Sequence, residues 1–210
     1  ALTLYVTHYV VGAPTWAPII IFAYMLPSFA SVPLWIPLSR RFGKIRVWIF
    51  GMILTGVSFG AMFLLPFFEE VNTRLAWIIS MAVFAGLANG CGGTIGPSVQ
   101  GDVIDYDEHL TGERKEGAYF AAWNFVQKSA LGVMLLLTGF VLDFSGFVPN
   151  VEQTMTVKMS MVTLYGLFPL ICYAIGAVMF TRFKLDEKEH GKIRADLDAR
   201  AASAAAQASA

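Results

Sequence analysis

The chain has 210 residues, of which 56% are hydrophobic and 14% are charged, and its formal net charge is zero. The mean hydropathy is +0.60, and residues 1–39 contain no Lys, Arg, Asp or Glu. This composition is typical of a membrane protein, so the lipid bilayer is its first expected partner. The balanced charge gives no reason to expect nucleic acid as another.

Long apolar runs predict the spans. About 20 apolar residues are needed to cross a hydrocarbon core of about 30 Å. The runs are continuous rather than alternating, which favours helices over barrel strands. The predicted fold class is therefore an all-α membrane bundle. Its predicted helices cover residues 16–38, 48–68, 75–100, 117–142 and 159–181, and residues 1–12 form the end of a sixth.

Most of the 15 Lys and Arg residues lie on one side of this bundle. They fall in the connection after the first complete span, in the connection before the fourth, and in the tail. Cytoplasmic loops carry the excess of basic residues, so the C-terminus is predicted to be cytoplasmic. We divide the chain into a bundle over residues 1–183 and a tail over residues 184–210. The tail predicts a short amphipathic helix within residues 183–200 and a disordered Ala-rich end.

Proline and glycine indicate where the bundle bends and packs. The four prolines of the first span predict a bent helix. Glycines four residues apart predict close helix packing, with a direct substrate role as the alternative. The two cysteines are interpreted as packing residues, and the three histidines lack metal-ligand spacing, so no metal site is assigned. These residues are Pro18, Pro27, Pro33 and Pro37; Gly56 and Gly60, Gly86 and Gly90, Gly92 and Gly96; Cys91 and Cys172; and His8, His109 and His190.

A lone lysine interrupts the fourth span. Lys128 lies about 16 Å from Gly117 along a helix, close to the bilayer midplane. A lysine there costs roughly 2.5 to 3.5 kcal/mol, so it is expected to face a partner or a wet cavity. Asn124 and Phe120 lie on the same face, and Trp123 lies on the adjoining edge. This set suits a hydroxylated ligand. The alternative is a structural ion pair with an acid on a helix outside this sequence.

Residues 101–117, GDVIDYDEHLTGERKEG, are predicted to form a mixed-charge cytoplasmic connection. Such a run is ordinarily a solvated face. Its acids are nevertheless placed to pair with the basic loop SRRFGKIR on the same side, which would hold the cytoplasmic side closed in one conformation. The candidate gate residues are Asp102, Asp105, Arg114 and Glu116, with Arg40 and Arg41 in the basic loop.

Within this segment, DVIDYDEHLTGERKEG resembles the DxxDYxExxTGxRxEG signature of the glycoside-pentoside-hexuronide:cation symporters, the melibiose-carrier-like branch of the major facilitator superfamily. PLSRRFGKIR is similar to the basic loop after that family's eighth helix, and GFVPNVEQ to its last outer loop. The resemblance extends to about Glu189. It implies the C-terminal six-helix half of a 12-helix fold, from the end of helix seven through helix twelve. We therefore expect an N-terminal half of the same chain that carries the intramembrane acids.

The resemblance implies secondary active transport of a sugar with Na⁺, H⁺ or Li⁺, by alternating access, in a bacterial inner membrane. It places Lys128 near the cation site, makes Trp123 and Asn124 candidate substrate-binding residues with it, and gives the charged signature a gating role. No cofactor beyond the coupling cation is implied. Where melibiose carriers have a tryptophan in helix ten, this chain has Gly93, which argues against melibiose as substrate.

Two other functions stay open. The first is a carrier of the same fold for a lysolipid or another amphiphile, since distant relatives of this branch serve both substrate classes. The second is a membrane-embedded enzyme or structural subunit. An enzyme needs a nucleophile with a base, or clustered metal ligands, at membrane depth. The predicted spans offer neither, so we do not expect an enzyme.

Overall fold

The structure, a computed structural model, describes residues 2–183, 185 and 187–208. The predicted start of the tail at residue 184 lies outside these residues. The described part is almost wholly helical, with short π and 3-10 turns between helices. Its α-helices are α1 (Leu2–Tyr5), α2 (Ala17–Ala30), α3 (Val32–Phe42), α4 (Lys44–Ala61), α5 (Val71–Thr111), α6 (Glu116–Phe144), α7 (Met155–Val162), α8 (Phe168–Phe180) and α9 (Glu187–Ala208).

Four continuous helical stretches are long and apolar enough to cross a membrane, and the bent pair of α2 and α3 makes a fifth. A π turn, Thr163–Leu167, joins α7 to α8 within one of the stretches. A shorter apolar helix precedes them at Leu2–Val11. These elements confirm the predicted all-α membrane fold class. The four stretches are Lys44–Phe67, Val71–Thr111, Glu116–Phe144 and Met155–Phe180.

The first complete span bends where its prolines predict. The two helices of the pair meet at an angle of 48°. Pro27 lies inside α2 and has no N–H to donate, and a second proline, Pro33, is the second residue of α3. The residue between the helices, Ser31, donates its hydroxyl to the Leu87 carbonyl of α5 at 3.0 Å. The predicted bend is confirmed, and α5 holds it in place.

Helix α5 is the central element, against which α2, α3 and α4 pack. Its 41 residues make it about 62 Å long, roughly twice the thickness of a hydrocarbon core, so its last turns project beyond the membrane. The helix therefore continues beyond residue 100, where the sequence predicts that it ends. After Gly101 nothing breaks the helix until Gly112, whose φ of 75° ends it. The first acids of the charged segment thus lie on a helix and not in a loop.

Glycines bring the helices close together. A Cβ added to Gly86 of α5 would lie 2.2 Å from the Tyr24 carbonyl oxygen of α2. A Cβ on Gly90 would lie at the same distance from the Ser31 hydroxyl. Only a residue without a side chain permits this approach. This glycine pair therefore serves packing, the first of the two roles considered for it.

Helix α6 packs loosely, with only Leu142 buried. One stripe along it faces the bundle, and most of the remaining helix is exposed. The helix therefore leaves one long face open. The bundle-facing stripe consists of Tyr119, Trp123, Val126, Met134, Leu137 and Val141.

The tail helix α9 returns to the projecting end of α5 and buries Ile193 there. The sequence analysis predicts a helix within residues 183–200, and the structure has one there. It continues through the Ala-rich segment to Ala208, where the sequence predicts disorder. The difference follows from composition, because alanine has the highest intrinsic helix propensity of any residue.

Candidate functional site

Two regions carry the predicted site residues. The first, the midplane face, consists of Phe120, Asn124 and Lys128 on the open side of α6. The second, the cytoplasmic network, is built from the charged end of α5, the start of α4, the connection to α6 and the tail helix. The two regions lie at different depths, because Lys128 is about 18 Å along α6 from its first residue.

Lys128 is exposed and makes no hydrogen bond or ion pair with any residue that the structure describes. It lies about 140° around the helix from Trp123, and hence away from the stripe that packs on the bundle. A lysine at mid-span needs an acid, a ligand or water. The described helices supply no acid, so whatever completes this face comes from outside them.

Asn124 shares the face of Lys128. It lies one turn before the lysine and is exposed. Its side-chain amide donates to the Phe120 carbonyl of its own helix at 2.8 Å, which leaves the amide oxygen free to accept. The Phe120 ring, 42% exposed, completes the row. The midplane face thus offers a cation, an acceptor and an aromatic ring over two helical turns.

Trp123 does not join this face. It lines a cavity of about 330 Å³ against α4, α5 and α8, together with Trp48 and Phe180. Its ring also approaches Gly96, where an added Cβ would lie 3.9 Å away. The structure therefore does not bring Trp123 and Lys128 together. Trp123 lies about 140° around the helix from Lys128 and about 60° from Phe120, at the edge of the face.

Asp105 is the centre of the cytoplasmic network. Its side chain is 11% exposed and lies near the projecting end of α5. Arg114, in the connection to α6, donates to its carboxylate at 3.0 Å. From the tail helix, His190 Nε2 lies 3.0 Å from the other oxygen, and Arg194 lies at 3.5 Å. One carboxylate thus joins three chain segments.

The surroundings keep Asp105 ionised. Burial by itself raises the pKa of the Asp105 carboxyl. The hydrogen bonds with His190 and Arg114, and the charges of Arg194 and Arg114, outweigh burial and hold the pKa below its ordinary value of 3.8. On the other side, hydrogen bonds to Glu108, Glu116 and Asp105 raise the pKa of the Arg114 guanidinium.

Arg114 also binds its neighbours in sequence. It lies 2.6 Å from the Glu108 carboxylate and 2.5 Å from that of Glu116 at the start of α6. The structure therefore brings together three of the predicted gate residues, Asp105, Arg114 and Glu116. Because Arg114 is 44% exposed, each of its individual pairs contributes little. The main effect of these ion pairs is to fix the end of α5 relative to the start of α6.

Asp102, the fourth predicted gate residue, binds the basic loop. The Lys44 ammonium group at the start of α4 lies 2.7 Å from its carboxylate. His190 lies 3.6 Å from the same side chain, between Asp102 and Asp105. A pairing of the signature acids with the SRRFGKIR loop therefore exists, and Lys44 makes it.

Arg40 and Arg41 do not take part. Neither makes an ion pair or a hydrogen bond with a described residue, and the Arg41 guanidinium instead lies 5.3 Å from the Phe42 ring. The structure does not bring these two arginines to the signature acids. They end α3, and the turn at Gly43, with φ of 92°, directs the chain so that only Lys44 starts α4 beside α5.

Sequence reasoning missed the tail residues that complete the network. His190 and Arg194 are one turn apart on α9 and reach Asp105 from 85 and 89 positions away along the chain. Arg200 adds a bond to the His109 carbonyl at 3.2 Å. The spacing of basic residues along one face of the predicted tail helix could have indicated these residues. Such spacing indicates a charged helix face but does not identify the segment of the protein that the face contacts.

The described residues combine a bundle of long apolar helices, a mid-span lysine without a described partner and a charged network at one end, which are features of a multi-pass membrane protein. A family model described as MFS/sugar transport protein matches residues 1–187. The chain belongs to this family, within the major facilitator superfamily, and the resemblance to its cation symporters is confirmed.

Characterised and uncharacterised symporters are among the similar proteins. An uncharacterized symporter of Bacillus subtilis is 30% identical over 94% of this chain and 42% of its own length. The glucuronide carrier protein homolog of Escherichia coli is 26% identical over 84% of this chain and 37% of its own length. The human sodium-dependent lysophosphatidylcholine symporter 1 is 27% identical over 86% of this chain and 33% of its own length. The chain thus spans about two fifths or less of each relative. These relatives are transporters.

Proposed function

We propose that this chain forms part of a symporter that moves a sugar or glycoside together with Na⁺, H⁺ or Li⁺ by alternating access. The observation that carries the proposal is Lys128, which is exposed at mid-span on the open face of α6 with no described partner. A cation at this depth along a membrane span needs an acid, a ligand or water, and in this proposal a second set of helices supplies the acid or ligand. The glucuronide carrier homolog supports a sugar as substrate.

In this proposal the other helices come from a further half of the same protein, which is the expected partner of the midplane face. Lys128 and the coupling cation compete for the same acidic groups there. Asn124 and Phe120 contact the sugar, the amide by hydrogen bonding and the ring by stacking on the apolar side. Cation binding then changes the charge that faces the substrate, which is the physical basis of coupling.

We further propose that the tail is cytoplasmic, in a bacterial inner membrane. The basic residues of α3, α4 and α9 lie at the same end as the projecting part of α5, and such an excess faces the cytoplasm. In this orientation the cytoplasmic network lies where a major facilitator carrier closes on its inner side. Asp102, Asp105, Arg114 and Glu116 then act as gate residues and not as substrate ligands.

Transport in proteoliposomes of the full-length protein tests the role of Lys128. We expect Lys128→Ala to lower ion-gradient-driven accumulation of substrate at least tenfold, to a ratio near one. Lys192→Ala is the matched control, because Lys192 is exposed on the tail helix. Lys128→Arg, which keeps the charge, tests whether charge alone is needed. Undiminished, gradient-dependent uptake in Lys128→Ala would contradict the proposed role.

One observation favours a second candidate, a lysolipid or other amphiphile as substrate. A cavity of about 660 Å³ lies between the first helices of the chain, α6 and the last span, and its walls are mainly apolar side chains such as Leu2, Ile20 and Met134. The human lysophosphatidylcholine symporter is a relative. Binding of glucuronides and of lysophosphatidylcholine to the full-length protein, measured in competition, separates the two candidates. The true substrate class binds, and the other class does not compete with it.

A further inference from the structure

Arg40, Arg41 and Arg46 line a cavity of about 780 Å³ at the basic end of the molecule. It opens between the junction of α3 with α4 and the end of α8. Its arginines are those that the cytoplasmic network leaves unused. Apolar side chains line the cavity beside them: Phe42, Ile45, Ile49, Phe180 and Phe183.

The described residues of this cavity do not balance the charges of its arginines. None of the three arginines makes an ion pair or a hydrogen bond with a described residue. Lys44, which lies between them in sequence, is by contrast paired with Asp102. Three free guanidinium groups within seven residues leave a strong local positive potential.

Among the described residues that line the cavity, Glu187 is the single acid. Its carboxylate accepts a hydrogen bond from the Lys44 backbone N–H at the first turn of α4. A carboxylate at a helix N-terminus is stabilised by the helix dipole and by the unsatisfied N–H groups there. Glu187 is thus already engaged, and the described lining residues keep an excess of positive charge.

Below the arginines, α4 presents an apolar stripe to the lipid. Phe50, Ile53 and Val57 follow Arg46 on the same helical face and are each at least 50% exposed. The stripe extends about 16 Å from Arg46. Basic groups at the membrane surface above an exposed apolar stripe match the two ends of a phospholipid.

We propose that this cavity binds the headgroup of an anionic phospholipid of the cytoplasmic leaflet, with an acyl chain along Phe50, Ile53 and Val57. Arginine suits this ligand, because its planar guanidinium group donates two parallel hydrogen bonds to phosphate oxygens. Basic pockets between membrane helices on the cytoplasmic side bind such headgroups. The bound lipid tethers the α3–α4 junction to the end of α8, beside the cytoplasmic network.

Native mass spectrometry of the full-length protein in detergent, with titrated dioleoyl phosphatidylglycerol or dioleoyl phosphatidylcholine, tests this site. We expect tighter binding of phosphatidylglycerol. Arg46→Gln should weaken it about fivefold, and the combination of Arg40→Gln, Arg41→Gln and Arg46→Gln on the order of 100-fold. Lys192→Gln, which removes an exposed cytoplasmic charge elsewhere, should change it less than twofold.

Three outcomes would overturn the proposal. The first is an unchanged affinity for phosphatidylglycerol in the triple variant. The second is displacement of the lipid by millimolar inorganic phosphate, which would mean a soluble anion as ligand. The third is a triple variant destabilised in lipid-free detergent, with no lipid preference in the wild type, which would mean an acidic segment of the protein itself in the cavity. The single variant Arg46→Gln keeps the test valid if the triple variant does not fold.

Discussion

Replacing Asp105 with asparagine removes the charge at the centre of the cytoplasmic network and keeps the size of the side chain. The substitution weakens one bond within the connection, to Arg114, and two interactions with the tail helix, to His190 and Arg194. The tail helix should therefore dock less firmly on α5. Its remaining attachments, such as Arg200 on the His109 carbonyl, should keep it from leaving completely.

The magnitude follows from burial and distance. Asp105 is 11% exposed, and its 3.0 Å contact with His190 belongs with hydrogen bonds to charged groups, which contribute roughly 1.5 to 3 kcal/mol. Arg194 is 51% exposed and 3.5 Å away, so it adds only about 0.2 to 1 kcal/mol. Docking of α9 should weaken by about 2 kcal/mol, which corresponds to roughly a 30-fold change in its opening equilibrium.

Amide hydrogen exchange of the full-length protein measures this opening directly. We expect amides of α9 to exchange roughly 30-fold faster in Asp105→Asn, with α2 unchanged. Asp198→Asn is the matched control, because Asp198 is 65% exposed and pairs with Arg194 within the same helix at 3.3 Å. Such a pair contributes about 0.3 to 0.5 kcal/mol. Equal acceleration of α9 exchange in the two variants would refute the reasoning that Asp105 holds the tail.

Two further predictions concern packing and pH. Gly86→Ala places a Cβ 2.2 Å from the Tyr24 carbonyl oxygen and should destabilise the protein by roughly 1 to 3 kcal/mol, whereas Gly93→Ala, with nothing within 4 Å, should leave the melting temperature unchanged or slightly higher. Equal melting temperatures would contradict the close packing of α2 on α5. Because the pKa of Asp105 is lowered, its contribution to docking is present above its ordinary value of 3.8 and lost as pH falls through the folded value. The difference in α9 exchange between wild type and Asp105→Asn should thus be constant down to about pH 5 and vanish in stronger acid; a difference lost already near pH 6 would show that the pKa is raised.

The sequence predicted the spans well because the bilayer restricts the choices. Every backbone polar group in hydrocarbon must be satisfied within its own segment, so a long apolar run becomes a helix. The bend at Pro27 and the close approach at Gly86 are equally local, since each depends on one residue's own chemistry. The end of α5 was harder to place, because charged residues can leave the membrane without ending the helix.

The site residues divide in the same way. That Asn124 and Lys128 share a face follows from helical spacing alone, whereas the cavity that Trp123 lines against α4, α5 and α8 is set by the packed helices. The partners of Asp105 do not follow from spacing, because His190 and Arg194 lie on another helix far along the chain. A charged residue on an exposed face has many possible partners until the helices are placed.

By itself the sequence determined the class of the protein, its family and the position of Lys128 in the middle of a span, since these depend on composition, on a contiguous motif and on distance along one helix. Only the tertiary structure decided that Lys44 and not Arg40 or Arg41 meets the signature acids, and that the tail helix closes the network around Asp105. A single turn at Gly43 separates the paired Lys44 from Arg40 and Arg41, which have no described partner. The relative orientation of the two helices that flank such a turn is set by how they pack on the other helices, and no local sequence pattern encodes it.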